Sequence, residues 1–100
     1  MSADAAIISP SARNDLIEIA DFIAQDAPKR AQSFVEELYV ACAELTRSPR
    51  RFAEIESSIP GLRRRVYGRY SIYYRIKVDE LEIARIASSA RDLHKLFPDD

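Results

Sequence analysis

Apolar residues change their spacing twice along the chain, and each change marks a new kind of element. Ala5-Ala6-Ile7-Ile8 is an unbroken apolar run of strand length. Ser9-Pro10 ends it. Ser9 is a good helix N-cap, and Pro10 suits the first helical turn, where its missing N–H has no partner to lose. Leu16, Ile19, Ala20 and Ile23 then recur at i, i+3, i+4 and i+7, which predicts a helix with one apolar stripe running to about Gln25. Asp26-Ala27-Pro28 breaks the pattern, because the residue before a proline is pushed out of helical backbone and Pro28 can open a new helix. Ala31, Phe34, Val35, Leu38, Ala41, Cys42 and Leu45 repeat at helical spacing toward Arg47, and Ser48-Pro49 stops them. A break this short makes the two helices an antiparallel pair.

Residues 48–61 carry no period, and after Pro60-Gly61 the period becomes two. Leu62 to Tyr67, Arg69 to Val78 and Leu81 to Ala87 read as strands, with tight turns at Gly68 and at Asp79-Glu80. Two tight connections in succession predict an antiparallel meander. The fold class is α+β in the order β-α-α-β-β-β, a helical hairpin packed on one face of a small, mainly antiparallel sheet. One domain over residues 1–100 is expected. In the middle strand, Tyr70, Ile72, Tyr74 and Ile76 share one face and Ser71, Tyr73, Arg75 and Lys77 the other. The helix stripes need the first of these faces, so the second is expected to stay open and to carry arginine and tyrosine.

Charge sharpens that expectation. The net charge is only -1, but residues 1–46 hold 8 acidic and 3 basic side chains and residues 47–77 hold 2 acidic and 9 basic. The basic block contains the most distinctive stretch, Pro60 to Ile76, with Arg63-Arg64-Arg65 in a row. Solvated strand faces often carry arginine. Three neighbouring like charges interleaved with Tyr67 and Tyr73 favour recognition instead, since arginine and tyrosine dominate binding hot spots. A near-neutral chain does not predict general nucleic-acid affinity.

Other classes fall away on composition. The 47% hydrophobic and 31% charged fractions exclude a disordered chain. A single cysteine, Cys42, excludes an internal disulfide, and with His94 as the single histidine a Cys/His zinc site is not expected. No cofactor is implied. No apolar run approaches the ~20 residues that span a membrane, and the N-terminal residues lack a signal-peptide pattern, so the default location is cytoplasmic.

No phosphate loop, Cys/His pair or Ser-His-Asp set can be assembled. Metal-independent RNA cleavage needs a base, an acid and cations for the pentavalent phosphate. Arg63, Arg65, Arg75 and Arg91 would supply cations; Tyr73 is a possible acid, Glu54 and Glu56 are loosely placed bases, and His94 lies in a polar tail.

The ordered set of residues resembles a ParE-type toxin of the RelE/ParE superfamily, from bacterial type II toxin–antitoxin modules. The resemblance is carried by Ile8-Ser9-Pro10-Ser11-Ala12, Asp15-Leu16 with Ile19, Phe22-Ile23-Ala24, Pro28 with Ala31 and Phe34, Leu45 with Ser48-Pro49, and Pro60-Gly61-Leu62-Arg63. Val66, Gly68-Arg69-Tyr70, Ile72-Tyr73-Tyr74-Arg75 and Ser89-Ala90-Arg91-Asp92-Leu93 continue it, over about 90 of the 100 residues. It implies a ParD-like antitoxin with a ribbon-helix-helix part and a flexible tail that wraps the toxin. In the ParE branch it implies DNA gyrase as target through protein contact; in the RelE branch, cleavage of mRNA in the ribosome. Many relatives carry a histidine before the Ala-Arg-Asp motif, where this chain has Ser88 and Ser89, and RelE-like nucleases often place a tyrosine in the tail, where it has Phe97. Both departures weaken the nuclease expectation, and a module that binds antitoxin without surviving toxicity is the third. The expected contact residues for antitoxin or target are Arg63, Arg65, Tyr73, Arg75, Arg91, Leu93 and Phe97, with an acidic antitoxin segment meeting the arginines.

Overall fold

A computed structural model describes residues 5–97. The elements are β1 (Ala5–Ile8), α1 (Pro10–Ala24), α2 (Pro28–Glu44), β2 (Arg63–Tyr67), β3 (Tyr70–Lys77), β4 (Glu80–Ser88) and a one-turn α3 (Leu93–Leu96). Prolines sit at the start of both long helices, as the sequence predicts. Beyond Glu44 the amides of Leu45, Thr46 and Arg47 each bond the carbonyl three residues back, so tightened turns carry α2's direction on to Arg47. Among the described residues no helix is long and apolar enough to cross a membrane.

The sheet order is β1-β4-β3-β2, with β1 parallel to β4 and the other pairs antiparallel. Both hairpins turn on two residues. Gly68 takes a φ of 59° in the first and Asp79 a φ of 62° in the second, left-handed positions that glycine and aspartate tolerate best. The helical hairpin buries Leu16, Ile19, Phe34, Leu38 and Leu45 against Ile72, Tyr74, Leu81, Ile83 and Ile86. Tyr74 places its hydroxyl in this core and donates to the Pro49 carbonyl at 2.7 Å, which fixes the loop after α2.

β1 is too short to cover β4. It pairs only with Glu80–Ile83, so the β4 edge beyond Ile83 needs other partners. Ala84 is an extra residue there: Tyr73 pairs with Arg85 and Tyr74 with Ile83, leaving Ala84 unpaired with β3. Ser9 donates from Oγ to the Ala84 carbonyl at 2.9 Å while accepting from the Ala12 N–H, so one hydroxyl both caps α1 and ties it to the bulge. Asp15, only 3% exposed, takes the next amide: its Oδ2 accepts from Ile86 N–H at 2.9 Å and from Arg85 Nε at 2.8 Å. Arg85 completes a bidentate pair through Nη2 to Oδ1 at 2.9 Å and donates from Nη1 to the Leu96 carbonyl at 2.9 Å.

The far face of the sheet is not open, contrary to the sequence expectation. Leu62, Tyr73, Ala87 and Leu96 form a second buried cluster, with Ile55, Ile59, Leu93 and Phe97 packed against it. Tyr73 is 2% exposed, its ring edge-on to Phe97 at 6.0 Å. The cover comes from segments that show no period in sequence. The aperiodic 48–61 stretch supplies Ile55 and Ile59, and the tail supplies a single helical turn anchored by Arg85.

Removing the Asp15 carboxylate leaves Arg85 and the Ile86 amide without their acceptor at the junction of three segments. Asp15→Ala is expected to lower unfolding free energy by about 3 kcal/mol, read as a lower urea midpoint at constant slope. Asp15→Ala combined with Arg85→Met should lose less than Asp15→Ala alone. A single-variant loss below about 1 kcal/mol would mean that the pair sets nothing in this fold.

Candidate functional site

The three consecutive arginines part company at β2. Antiparallel register sets Arg63 opposite Tyr74, Arg65 opposite Ile72 and Arg64 opposite Tyr73. Arg63 and Arg65 therefore lie on the helix side of the sheet and only Arg64 shares a face with Tyr73, which corrects the expectation of one Arg63–Arg65–Tyr73–Arg75 surface. Arg63 donates to the Phe52 carbonyl at 2.6 Å and lies 3.5 Å from the Glu54 carboxylate. Arg65 donates to the Ala41 carbonyl at 2.8 Å and to Glu44 at 3.0 Å. Ala41 belongs to the last turn of α2, whose carbonyls have no helical partner, so Arg65 closes that end and complements its dipole. Both arginines are thus largely spent on holding the 48–54 loop and α2.

Of the other expected contact residues, Tyr73 and Leu93 pack in the second cluster with Phe97, so the tail docks on the body. Arg75 pairs across the hairpin with Glu82 at 2.9 Å and keeps part of its side chain in solvent. Arg91 is exposed beside a recess of about 180 Å³ that Glu18, Phe22 and Tyr70 help to line. At the position where relatives' histidine was expected, Ser89 Oγ lies 2.8 Å from Ser71 Oγ. Tyr73 is covered, Glu54 faces Arg63, and Glu56 and His94 are exposed, so among the described residues no contact gathers the candidate acid and bases around one point. Cys42 is a buried packing residue whose thiol is pushed up to about 12 by burial.

The site that sequence reasoning missed is an open groove of about 520 Å³ between α2 and β2. Ser33, Glu36, Glu37, Val40, Ala41 and Glu44 line it from the helix and Tyr67 from the strand. Val40 is 59% exposed, a large apolar side chain set among carboxylates. Glu37 accepts from the Tyr67 hydroxyl at 2.8 Å and pairs with Arg30. The Arg30 hydrogen bond, then that of Tyr67, holds the Glu37 carboxyl below the ordinary range, and the same carboxylate raises the Tyr67 hydroxyl. Tyr67 in turn packs near Phe34, their centroids 6.0 Å apart. The signal was present in the sequence: Glu37, Val40 and Glu44 stand at i, i+3 and i+7, off the buried stripe.

The groove borders a sheet edge that is only partly paired, since Glu54 bridges Arg63 at its start. Because Tyr67 and Tyr70 close the hairpin, Arg63, Arg65 and Tyr67 bond to β3 while Arg64 and Val66 direct their backbone groups outward. Ala53 accepts from the Arg64 N–H, but the Arg64 carbonyl and both backbone groups of Val66 have no protein partner among the described residues. A second, polar groove of about 330 Å³ follows, lined by Glu44, Arg47, Ser48, Arg51, Phe52 and Arg65.

At the opposite hairpin Arg75, helped by Lys77, lowers the Glu82 carboxyl. The stabilisation that this carboxylate supplies is present above its unfolded value and is lost as pH falls through its lowered folded value. In a carboxyl-resolved NMR titration Glu82 should titrate below the ordinary glutamate range, and Arg75→Ala should raise its midpoint; an unmoved midpoint would assign the shift elsewhere.

Comparison with known proteins agrees with this geometry. Residues 6–93 match the family model described as ParE toxin of type II toxin-antitoxin system, parDE. Among solved structures the chain is similar to one from the chromosomal ParDE toxin–antitoxin system of P. aeruginosa, with 23% identity, TM-score 0.73, and coverage of 87% of this chain and 96% of that one. It is also similar to one from the RelBE2 toxin–antitoxin complex of Mycobacterium tuberculosis, with 22% identity, TM-score 0.62, and coverage of 86% and 98%. No curated protein sequence matches. At these identities the structural likenesses speak to the fold, while the family match spans nearly the whole described chain: the chain belongs to the ParE toxin family of type II toxin–antitoxin systems.

Proposed function

We propose that this ParE-family toxin acts on DNA gyrase by protein–protein contact and is held inactive by a ParD-like antitoxin. The observation that carries the reading is the α2–β2 groove with its open strand edge. Exposed Val40, a carboxylate row and unpaired backbone groups beside them make a surface suited to a polypeptide, not to a small substrate. An antitoxin tail that orders on this surface loses chain entropy and recovers it through apolar burial and strand hydrogen bonds. Exposed Arg91, beside the Phe22 recess, and the solvent-facing part of Arg75 lie away from the groove and remain candidates for the target contact. The P. aeruginosa likeness, to a structure described as a ParDE system, supports the choice of antitoxin class.

RNA cleavage is the competing activity. It is disfavoured because Tyr73 is buried and the possible bases are not gathered with it. Purified gyrase separates the readings. Added protein should block supercoiling of relaxed plasmid, and its antitoxin should restore it. Unchanged supercoiling at a tenfold molar excess, together with cleaved mRNA on translating ribosomes, would replace the gyrase reading with the nuclease one.

A further inference from the structure

The two grooves along α2 share Glu44, so they form one trough, and its charges are segregated. Glu36, Glu37 and Glu44 line the first groove with no cation among its lining residues. Arg47, Arg51 and Arg65 line the second. Within the trough, Glu37 is engaged by Arg30 and Glu44 by Arg65. Among the described residues Glu36 at one end and Arg47 and Arg51 at the other form no ion pair; Arg51 stacks on Phe52, its guanidinium 5.3 Å from the ring centroid. Between the two ends the floor is apolar, with Val40 and Ala41 beside Tyr67, and the part of the β2 edge that residues 53–55 leave open, the Arg64 carbonyl and Val66, runs alongside its carboxylate half.

We infer that this trough receives an extended partner segment that pairs antiparallel with the open part of β2 at Val66, with a cationic side chain over Glu36 and an anionic one that continues past the paired part against Arg47 and Arg51. The direction follows from the topology. β2 runs from Arg63 to Tyr67, that is, from the arginine end to the carboxylate end, because Arg65 bonds Glu44 and Tyr67 bonds Glu37. An antiparallel segment meets the carboxylates first and the arginines last. The spacing follows from element geometry. Eleven helical steps from Glu36 to Arg47 span about 16 Å; four extended steps, about 13 Å, keep the first and fifth side chains on one face, and the length of the charged side chains covers the remainder. Side chains facing the trough alternate. The segment therefore reads cation, any residue, apolar, any residue, anion, from N- to C-terminus, with its apolar side chain on Val40 and its backbone bonded to Val66. A segment of one charge sign meets repulsion at one end. In this proposal the acidic antitoxin residues expected on Arg63, Arg65 and Arg75 are confined to the anionic end of the segment and meet Arg47 and Arg51 instead.

On the toxin reading the segment belongs to the antitoxin, and only that identification rests on the reading above. The test is an NMR titration of the full chain with two capped peptides of identical composition, Gly-Thr-Lys-Thr-Val-Thr-Glu-Thr-Gly and its reverse-order partner Gly-Thr-Glu-Thr-Val-Thr-Lys-Thr-Gly. The first should bind at least tenfold tighter and shift the Val66 and Val40 amides. Glu36→Lys combined with Arg47→Glu, both exposed positions, should reverse the preference. Equal affinities, a preference unmoved by the double charge swap, or no saturable shift with either peptide would overturn the proposal. None of these readings depends on gyrase inhibition, so a chain inactive on gyrase that still discriminates the peptides refutes the target and keeps the trough.

Discussion

The Asp15–Arg85 pair is the contact on which the arrangement of layers depends. A four-residue β1 leaves the outer edge of β4 beyond Ile83 without a strand, and buried backbone amides do not stay unpaired at small cost. The chain meets this by placing a carboxylate on the first turns of α1, where it takes the Ile86 amide. A buried carboxylate needs a cation, and Arg85 supplies one with two parallel hydrogen bonds. Arg85's remaining bond to the Leu96 carbonyl then fastens the tail across the far face. Helix, sheet and tail are joined by one ion pair, which carries the first hydrophobic cluster into the second.

The division of arginines follows from the same economy of partners. Arg63 and Arg65 point to the helix side because the β2–β3 register is closed by a two-residue turn at Gly68, and once there they satisfy the loose carbonyls of the 48–54 loop and of the α2 C-terminus. A basic stretch in sequence thus becomes internal scaffolding in space. What is left at the surface is a trough with carboxylates at one end and arginines at the other, beside the part of the β2 edge that segment 53–55 leaves uncovered.

Much of the fold was legible in the sequence because its elements obey simple periods. The helical stripes of Leu16 to Ile23 and Phe34 to Leu45, the prolines at both helix starts, and the two tight turns mark the β-α-α-β-β-β order, while the single turn of α3 has no period to mark it. The far-face cover was not legible, since Ile55, Ile59 and Leu96 stand singly in polar surroundings and acquire a face only when the chain brings them over Tyr73. Alternation within β3 was read correctly, but extending it to β2 needed the register, which a sequence does not state. Asp15 and Arg85 lie 70 residues apart, and nothing local marks either as a partner of the other. The groove was half legible: Glu37, Val40 and Glu44 share a helical face, yet an exposed valine among glutamates has meaning only beside an unpaired strand.

Membership of the ParE toxin family and the shape of this surface meet in one question, where the antitoxin lies. Amide hydrogen exchange of the chain alone and bound to its antitoxin answers it residue by residue. Docking in the trough predicts that the Val66 amide, unbonded in the free protein, becomes strongly protected on binding along with residues 47–51. Protection confined to residues 88–97, with Val66 exchanging as fast as in the free chain, would contradict it.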